Sequence, residues 1–340
     1  MLPCMNHLKK YFFLLLLLVL LAGCDKNKGV KIKDDNFLQA LIKAGVDIDG
    51  DGDISYPEAE AVTFLDLRQN YISDMGGIGA FTNLDSLIIR ENLLPGFDAS
   101  DNLNLRYLDC EYNLMTELKV SKNTALKSLY CSGNYLTTLD VSGNSALLYL
   151  GCSSNKLTIL DISGNPGLIY LSCSDNQLSS LDISKNLSLL ALLCSENKLT
   201  KLSVSANTLL VHLICGTNSI STLDLSKNNR LKRLYCENNL LANLNTLYNP
   251  VLSELNCQNN KITSIALPVN NSLTVINCSG NLIPALDLSY NNKLTDIKLQ
   301  NMSSLKKVCV WVLPFPPSGV AVNVEGSPNV FFSNSCLKKN

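Results

Sequence analysis

Leucine and other apolar residues recur along most of the chain with a period of 21 residues. From residue 103 onward the units follow the form Leu126-x-x-Leu129-x-Cys131-x-x-Asn134-x-Leu136. Leu129 and Cys131 are separated by one residue, which is the alternation of a β-strand with one face turned inward. Nine uninterrupted units predict a solenoid, in which each coil buries its apolar side against its neighbours.

Two columns of asparagine accompany the apolar positions. The first comprises Asn113, Asn134, Asn155, Asn176, Asn197, Asn218, Asn239, Asn260 and Asn281. The second comprises Asn102, Asn123, Asn144, Asn165, Asn186, Asn207, Asn228, Asn249, Asn270 and Asn291. A turn inside a stack of coils leaves backbone groups that water cannot reach, and an amide side chain offers both donor and acceptor. A 21-residue coil has no room for a long helix, so we expect short parallel β-strands, an extended back face and little helix.

Each unit resembles the leucine-rich-repeat consensus. Two upstream segments, Leu65-x-Leu67-x-x-Asn70 and Leu87-x-Ile89, are 22 residues apart and resemble the internalin-type repeat. The resemblance covers about residues 63–312, and it implies a binding scaffold. Residues 313–340 contain a proline-rich stretch, and we expect them to form a C-terminal cap or tail.

A segment before the repeats resembles a calcium-binding EF-hand loop. Residues 34–46 place apolar residues on one helical stripe, and the next twelve positions match the loop, with Gly52 at its sharp turn. The resemblance implies the ligands Asp47, Asp49, Asp51, Asp53 (through its carbonyl), Ser55 and Glu58. Only one loop is present, whereas sensor EF-hands work in pairs. A structural calcium site in an EF-hand-like cap over residues 34–62 is therefore expected.

The N-terminus is typical of an exported lipoprotein. Lys9 and Lys10 precede an apolar stretch that is too short for an ordinary membrane span. The ending Leu21-Ala22-Gly23-Cys24 resembles the bacterial lipobox, which implies a signal peptide over 1–23, acylation of Cys24 and a polar tether over 24–33. Together with the EF-hand-like loop and mixed repeat lengths, this resembles surface lipoproteins of gut Bacteroidetes.

The expected location is the bacterial cell envelope, anchored to the outer membrane or cell surface. Asp25 follows the lipidated position, and the tetrapeptide that it begins fits neither the inner-membrane retention rule nor the surface-export rule. The membrane face is therefore left open.

Charge and side-chain chemistry narrow the range of functions. The 340 residues include 28 basic and 29 acidic ones, and no basic footprint for nucleic acid is present. There are two histidines, and no constellation predicts catalytic residues, so an enzyme is disfavoured. Zinc ligands must converge, which a straight cysteine column cannot do, and disulfides along the column are awkward. Buried, unreacted cysteine is the simplest interpretation. Cys309 falls at an outward position and is a candidate for a disulfide with Cys336.

The outward positions of the cysteine-bearing strands form the candidate binding surface. Aromatic and aliphatic residues gather there at Tyr107, Tyr130, Tyr149, Tyr170, Leu193, His212, Ile214 and Tyr235. Exposed patches of this kind mark binding surfaces, although tyrosine also simply suits strands. Two ligand classes follow: a protein partner, in adhesion or host contact, or a glycan stacked on the tyrosines of a carbohydrate-binding accessory lipoprotein.

Lipidation at Cys24 is directly testable. Mass spectrometry of the mature protein should find acyl mass on the peptide that begins at Cys24. The Cys24→Ala variant should lose membrane association, because two acyl chains are needed for stable anchoring. An equally membrane-bound Cys24→Ala protein contradicts the prediction.

Overall fold

Each 21-residue unit forms one coil, and successive coils stack with equivalent residues in register. The structure is a computed structural model that describes residues 29–269 and 272–335. Leu150 lies beside Leu129 of the preceding coil and Leu171 of the following one, in a parallel arrangement. The side chains of all three leucines are fully buried. The predicted solenoid of short parallel strands is thus confirmed.

The described residues contain two α-helices and twenty short strands. The helices are α1 (Asp35–Lys43) and α2 (Tyr56–Ala61), and a 3₁₀ turn spans Ile78–Ala80. The strands are β1 (Phe64–Asp66), β2 (Ser86–Ile88), β3 (Gly96–Asp98), β4 (Tyr107–Asp109), β5 (Glu117–Lys119), β6 (Ser128–Tyr130), β7 (Tyr149–Gly151), β8 (Tyr170–Ser172), β9 (Ala191–Leu193), β10 (His212–Ile214), β11 (Arg233–Tyr235), β12 (Asn243–Asn245), β13 (Glu254–Asn256), β14 (Ser264–Ala266), β15 (Val275–Asn277), β16 (Ala285–Asp287), β17 (Asp296–Lys298), β18 (Lys307–Cys309), β19 (Ala321–Asn323) and β20 (Phe331–Ser333).

One strand from each coil joins a continuous front sheet. It has thirteen parallel strands, β1, β2, β4, β6 to β11, β13, β15, β17 and β19, in that order. The middle residue of nearly every strand points inward, and the residues on either side of it point outward. The outward surface of this sheet is called the front face below.

The first asparagine column is a ladder of buried amides that links adjacent coils. The Asn155 amide nitrogen donates to the carbonyl oxygens of Cys131 (3.0 Å), Cys152 (3.2 Å) and Ser153 (3.2 Å). Its oxygen accepts the backbone N–H of Leu136, one coil back, at 3.0 Å. Each such amide therefore satisfies backbone groups of two coils, as the sequence predicts.

Most of the second asparagine column satisfies backbone carbonyl groups but no backbone N–H groups. The Asn165 amide nitrogen donates to the carbonyl oxygens of Val141 and Asn144, both at 2.9 Å. Its oxygen is buried and accepts no hydrogen bond, and the same holds for seven equivalent residues. These eight side chains therefore satisfy carbonyl groups, while their own oxygens remain unpaired.

The nine column cysteines are free and buried, from Cys110 to Cys278. Burial raises the pKa of the Cys173 thiol to about 12 and that of Cys215 to about 12. A thiol with so high a pKa is not a thiolate at neutral pH, so it neither attacks electrophiles nor binds metal readily. The column acts as a row of small hydrophobic side chains, in line with the simplest of the three interpretations.

The back face is extended, but its strands are confined to the two ends of the solenoid. β3 pairs with β5, β12 with β14, and β16, β18 and β20 form a three-stranded sheet. Between these, among the described residues, only an isolated bridge from Lys119 to Asp140 extends the pairing. The predicted extended back face is confirmed, with this discontinuity.

Cys309 takes the outward position that strand alternation assigns to it, next to the inward Val308, but its side chain is buried. It lies in β18 of the back sheet, beside Asp287 and Ser333, and only 8% of its surface is exposed. The strand belongs to the back face of its coil, where Cys309 is in register with the exposed Asp287. Cys309 is disulfide-bonded. The predicted partner, Cys336, lies outside the described residues, so the pairing with it remains a prediction.

The solenoid continues past residue 312, where the sequence places a cap or tail. β19 pairs with β17 in the front sheet, and β20 pairs with β18 in the back sheet. The Trp311 ring contacts Phe315 edge-on at 5.2 Å between centroids, and Phe315 lies 4.8 Å from Phe332. A half-buried aromatic cluster therefore packs against the core at an enlarged coil. The proline-rich insertion in this coil makes the repeat hard to recognise in the sequence.

The N-terminal cap is attached to the first repeats through Asp34. One carboxylate oxygen of Asp34 accepts the Phe37 N–H at 2.9 Å and so caps α1. The other accepts the N–H and hydroxyl of Ser73, both at 2.7 Å, and the N–H of Asp74 at 3.0 Å. Burial raises the pKa of Asp34, but these hydrogen bonds lower it more, so the net pKa lies below its ordinary value.

Residues 29–33, expected to be tether, are instead part of this cap. The Val30 N–H donates to the Ile54 carbonyl at 2.7 Å, and Val30 is buried. A Cβ atom on Gly77 would lie 3.1 Å from both Val30 and Ile32, so this glycine permits close contact with the first repeat. These residues are called the strap below. Their sequence resembles a polar tether because lysines flank the two apolar side chains.

The proposed lipidation site and signal peptide, residues 1–24, lie outside the described residues. Within the described ranges, no helix has both the length and the apolar character needed to cross a membrane.

Replacing one amide of the first ladder should destabilise the whole stack. We expect Asn155→Ala to lower the free energy of unfolding by about 2–4 kcal/mol, since it leaves several buried backbone groups unpaired. Chemical denaturation measures the effect. Thr158→Ala, at an exposed position of the same coil, is the control and should change stability by less than about 0.5 kcal/mol. Equal effects in the two variants contradict the ladder's role.

Asp34→Ala should weaken the attachment of the cap by about 1 kcal/mol, the usual cost of losing an N-cap. Because the folded-state pKa of Asp34 is depressed, its contribution is present above the unfolded pKa and is lost as pH falls through the folded pKa. Thermal melts should therefore separate Asp34→Ala from wild type by more at pH 7 than near pH 2. Asp35→Ala, exposed in the same helical turn, is the control. A difference of the same size at both pH values refutes the assignment.

Candidate functional site

Three columns of outward side chains form the front face. The first consists of Tyr107, Ser128, Tyr149, Tyr170, Ala191, His212, Arg233, Glu254 and Val275. The second consists of Asp109, Tyr130, Gly151, Ser172, Leu193, Ile214, Tyr235, Asn256 and Asn277. The third, which follows each cysteine, consists of Glu111, Ser132, Ser153, Ser174, Ser195, Gly216, Glu237, Gln258 and Ser279. Strand pairing holds the first two columns in register from coil to coil.

The eight predicted surface residues all lie on this face, in seven adjacent strands from β4 to β11. The rings of Tyr107 and Tyr130 are tilted against each other with centroids 5.8 Å apart. Tyr130 leans over Gly151, where a Cβ atom would lie 3.0 Å from the ring. Tyr149 is 38% exposed, and Tyr170 is half-buried. The middle of the front face is thus a contiguous aromatic and aliphatic surface.

The N-terminal end of this surface is charged. Arg90 lies 3.8 Å from carboxylate oxygens of both Asp109 and Glu111. Burial raises the pKa of each carboxyl, against the opposing effect of Arg90. Farther out, Arg68 pairs with Asp66 through hydrogen bonds of 2.6 to 3.0 Å.

The C-terminal end is charged as well. The Arg233 guanidinium donates to Glu254 at 2.9 Å, and the Tyr235 hydroxyl donates to the other oxygen of that carboxylate. The hydrogen bond from Tyr235 is the largest contribution to a lowered Glu254 pKa, so this carboxylate is ionised at neutral pH. An apolar centre bounded by polar groups is the usual anatomy of a protein interface.

His212 shows no catalytic arrangement. Burial, and then the charge of Arg233, lower the pKa of its imidazole, so the ring is neutral at pH 7. Its Nδ1 atom is buried and has no hydrogen-bond partner. A catalytic histidine is normally oriented by a hydrogen bond to that atom, so His212 is better regarded as part of the binding surface.

The candidate calcium loop lies between α1 and α2. Asp47, Asp49 and Glu58 each place a carboxylate oxygen so that the three oxygens lie within 4.8 Å of one another. Among the described residues, this is the one group of three or more acidic, histidine or cysteine side chains so arranged. Asp51 and Asp53 are outside that group. Converging hard oxygen donors suit Ca²⁺, so the donor set fits the ion that the sequence implies.

The loop backbone also follows the EF-hand pattern. Gly50 and Gly52 adopt positive φ, at 75° and 88°, and their N–H groups donate to the Asp47 carboxylate at 2.7 and 3.1 Å. Ser55 caps α2 and exchanges hydrogen bonds with Glu58. Pro57 lies in the first turn of α2, where a missing N–H costs nothing. The proline that departs from the loop pattern is therefore compatible with it.

The loop is paired with the strap, because Gly29 and Ser55 form an antiparallel bridge. The loop is thereby joined to residues 29–33 and, through Gly77, to the first repeat. A calcium ion bound there would act on the junction between the N-terminal cap and the solenoid.

Sequence reasoning missed two parts of these sites. The third outward column follows directly from the strand alternation beyond each cysteine. The predicted binding surface, however, contains residues of the first two columns only. The bridge between the strap and the loop has no local signal, because Gly29 and Ser55 are far apart in the chain and the bridge is a single pair.

The comparisons with known proteins agree with this architecture. A scan of protein-family models found no match, and a search of curated proteins also found none. Among solved structures, internalin InlF from Listeria monocytogenes matches with a TM-score of 0.69, at 18% identity over 90% of this chain and 96% of that one. The plant peptide hormone receptor RGFR1, solved in complex with RGF2, matches with a TM-score of 0.56, at 16% identity over 75% of this chain and 52% of that one. Both show the fold alone.

The functional domain of InlJ from Listeria monocytogenes is more similar in sequence. It is 32% identical, with a TM-score of 0.64, over 81% of this chain and 74% of that one, and it is described as including a cysteine ladder. The column from Cys110 to Cys278 is such a ladder. On this evidence the chain belongs to the bacterial internalin-like leucine-rich-repeat proteins.

Proposed function

We propose that this chain is a lipid-anchored envelope protein that binds another protein through its front face, with a structural calcium ion in its N-terminal cap. The observation that supports this proposal most directly is the contiguous aromatic and aliphatic surface on seven adjacent strands. Outward tyrosines do not fill the core of the solenoid, and in an interface they supply a large contact area.

The composition of the surface supports a protein partner. Tyrosine gives a large, rigid contact area at low entropic cost, and interface centres are enriched in it. Charged groups at both ends, around Arg90 and Arg233, supply a polar rim. Leucine-rich-repeat scaffolds are in general interaction modules without catalysis, and the similar plant peptide hormone receptor is solved in complex with RGF2.

The calcium ion would act on stability. Asp47, Asp49 and Glu58 would hold it directly, with Asp51, the Asp53 carbonyl and Ser55 completing the oxygen set. It would neutralise converging carboxylates and fix the loop that joins α1, α2 and the strap, and so close the N-terminal end of the core. The ion would bind the folded loop alone and stabilise it by mass action.

Lipidation of Cys24 would anchor the solenoid to a membrane of the cell envelope. The strap begins five residues after Cys24 and is fixed to the cap, so only a short linker would separate the lipid from the first coil. The front face would then be presented at a defined distance from the membrane, which suits adhesion or host contact.

Calcium should raise the melting temperature of the wild-type protein. At a calcium concentration about tenfold above a dissociation constant of about 10⁻⁴–10⁻³ M, the gain should be about 1.4 kcal/mol. Asp47→Ala with Asp49→Ala should abolish the gain and keep the Ser55–Glu58 cap. Glu60→Ala, exposed in the same helix as Glu58, should leave it intact. If calcium still raises the melting temperature of the double variant, calcium does not bind at this loop.

Tyr149→Ala with Tyr170→Ala should weaken binding by about 30-fold or more, because truncating a true anchor costs at least about 2 kcal/mol. The measurement is the affinity for protein partners that the wild-type protein captures from its native environment. Both side chains point away from the core, so the melting temperature should change little.

Ile159→Ala is the matched control for the tyrosine pair. Ile159 is 76% exposed and lies off the front face, so its loss should affect neither binding nor stability. A glycan array tests the carbohydrate alternative on the same proteins. If glycans bind in a way that depends on the two tyrosines and no protein partner is captured, the protein binds carbohydrate and the proposed function is wrong.

A further inference from the structure

Exposed apolar side chains also collect along one edge of the solenoid, just past the front strands. They lie one residue after the asparagine of the first ladder, or after its equivalent in the two preceding coils, and they are Tyr71, Leu93, Leu114 and Tyr135. Tyr71 is 73% exposed, and the other three are between 44% and 46% exposed. In the four coils that follow, the same position holds Lys156, Gln177, Lys198 and Ser219. This edge is therefore apolar in four successive coils and polar in the next four.

The four apolar side chains, called the edge stripe below, form one continuous patch. The N–H groups of Leu93, Leu114 and Tyr135 each donate to a carbonyl group of the preceding coil, at 2.8 to 3.0 Å. Equivalent residues are therefore neighbours, and at strand spacing the edge stripe is about 15 Å long. Single exposed apolar residues are normal on a protein surface, but a contiguous patch indicates an interaction site.

The two ends of the edge stripe carry opposite charges. Beyond Tyr135, the Lys156 ammonium group lies 4.7 Å from the centre of the Tyr135 ring. Beyond Tyr71 lies the start of α1, where the Asn36 amide nitrogen donates to the Tyr71 carbonyl at 3.0 Å. Asp35, the neighbour of Asn36 in the chain, is exposed. From one end to the other, the order along this edge is therefore acidic, tyrosine, leucine, leucine, tyrosine, basic.

This order is self-complementary about its centre, which is what a two-fold contact between identical chains requires. When two edge stripes run antiparallel, each tyrosine of one protomer meets the other tyrosine of its partner, and each leucine meets the other leucine. Lys156 of one protomer then meets Asp35 of the other at both ends. A parallel arrangement would instead oppose Lys156 to Lys156 and Asp35 to Asp35, and such like-charge contacts are costly. The charges therefore favour the antiparallel arrangement.

We propose that the edge stripe is a self-association surface, through which two copies of this chain form an antiparallel two-fold dimer. The proposal goes beyond the proposed function and is independent of it, because the edge stripe shares no residue with the front face. From the exposed fractions of its side chains, the contact buries on the order of 1,000 Å² in total. This area is at the lower end for specific interfaces, so the dimer is a reversible one.

The geometry of the dimer leaves both front faces open. An edge-to-edge contact between antiparallel solenoids places the two-fold axis perpendicular to the stacking direction and along the normal of the front face. Rotation about that axis keeps the front faces pointing to the same side. The dimer therefore presents two copies of the front face next to each other, an arrangement that suits bivalent binding.

Sedimentation equilibrium tests the proposal on the chain from residue 25 onward, which contains every described residue. The wild-type chain should show a monomer–dimer equilibrium with a dissociation constant of about 10–100 µM. Leu93→Asp and Leu114→Lys each place a charge against a leucine of the partner and should dimerise at least about 30-fold more weakly. An equimolar mixture of the two variants should form a heterodimer with an affinity within about tenfold of the wild-type dimer. In the heterodimer the two new charges face each other, and so do the two remaining leucines.

Leu240→Asp is the matched control, because Leu240 has the same position in a later coil and is 42% exposed; this variant should dimerise like wild type. A wild-type chain that stays monomeric overturns the proposal, as does a dimer that survives both edge-stripe substitutions or a mixture that stays monomeric. Tyr149→Ala with Tyr170→Ala should leave the dimer intact. Loss of the dimer in that front-face variant would assign self-association to the front face and not to the edge stripe. Capture of a different protein by the front face is measured separately, so the two proposals fail independently.

Discussion

In-register stacking of identical coils is the constraint on which the rest of this structure depends. Every coil turns its backbone through the interior, and water cannot reach the carbonyl and N–H groups left there. The asparagine amides meet that need by bonding within their own coil and to the one before, as Asn155 does with Cys152 and Cys131. Fixed turns keep the strands at a constant spacing, and this spacing turns a repeated sequence into straight columns. The cysteine column and the front face are both products of that geometry.

The two ends of such a stack need separate solutions. At the N-terminus, α1, α2 and the strap cover the first coil, with Asp34 and Gly77 as the main points of attachment. At the C-terminus an enlarged coil packs Trp311, Phe315 and Phe332 together. Both ends use side chains that break the repeat pattern. The interior coils, by contrast, differ from one another chiefly on the outward columns, where variation does not disturb the core.

Much of this architecture could be predicted from the sequence, because periodicity determines which residues share a column and which face the core. The loop at Asp47 to Glu58 could also be predicted, since its ligands are close in the chain. Three features could not. The back-face strand that contains Cys309 could not be assigned, because the coil that follows is enlarged and obscures the register. Asp34 and Ser73 are far apart in sequence and meet only in the folded cap. The position of the Glu237 carboxylate depends on the absence of a side chain at Gly216, one coil away, which no pattern within a single repeat reveals.

The exact 21-residue register also has an evolutionary consequence. Deleting or duplicating one whole coil would preserve both asparagine ladders and every column, and would change the length of the front face by about 4.8 Å. Inserting a single residue into a strand would instead exchange its inward and outward side chains. Gene-level gain and loss of whole units is therefore the easiest route by which a lineage could adjust the reach of this surface. Recombination between near-identical units would supply that variation, while substitution on the outward columns would tune what the surface recognises.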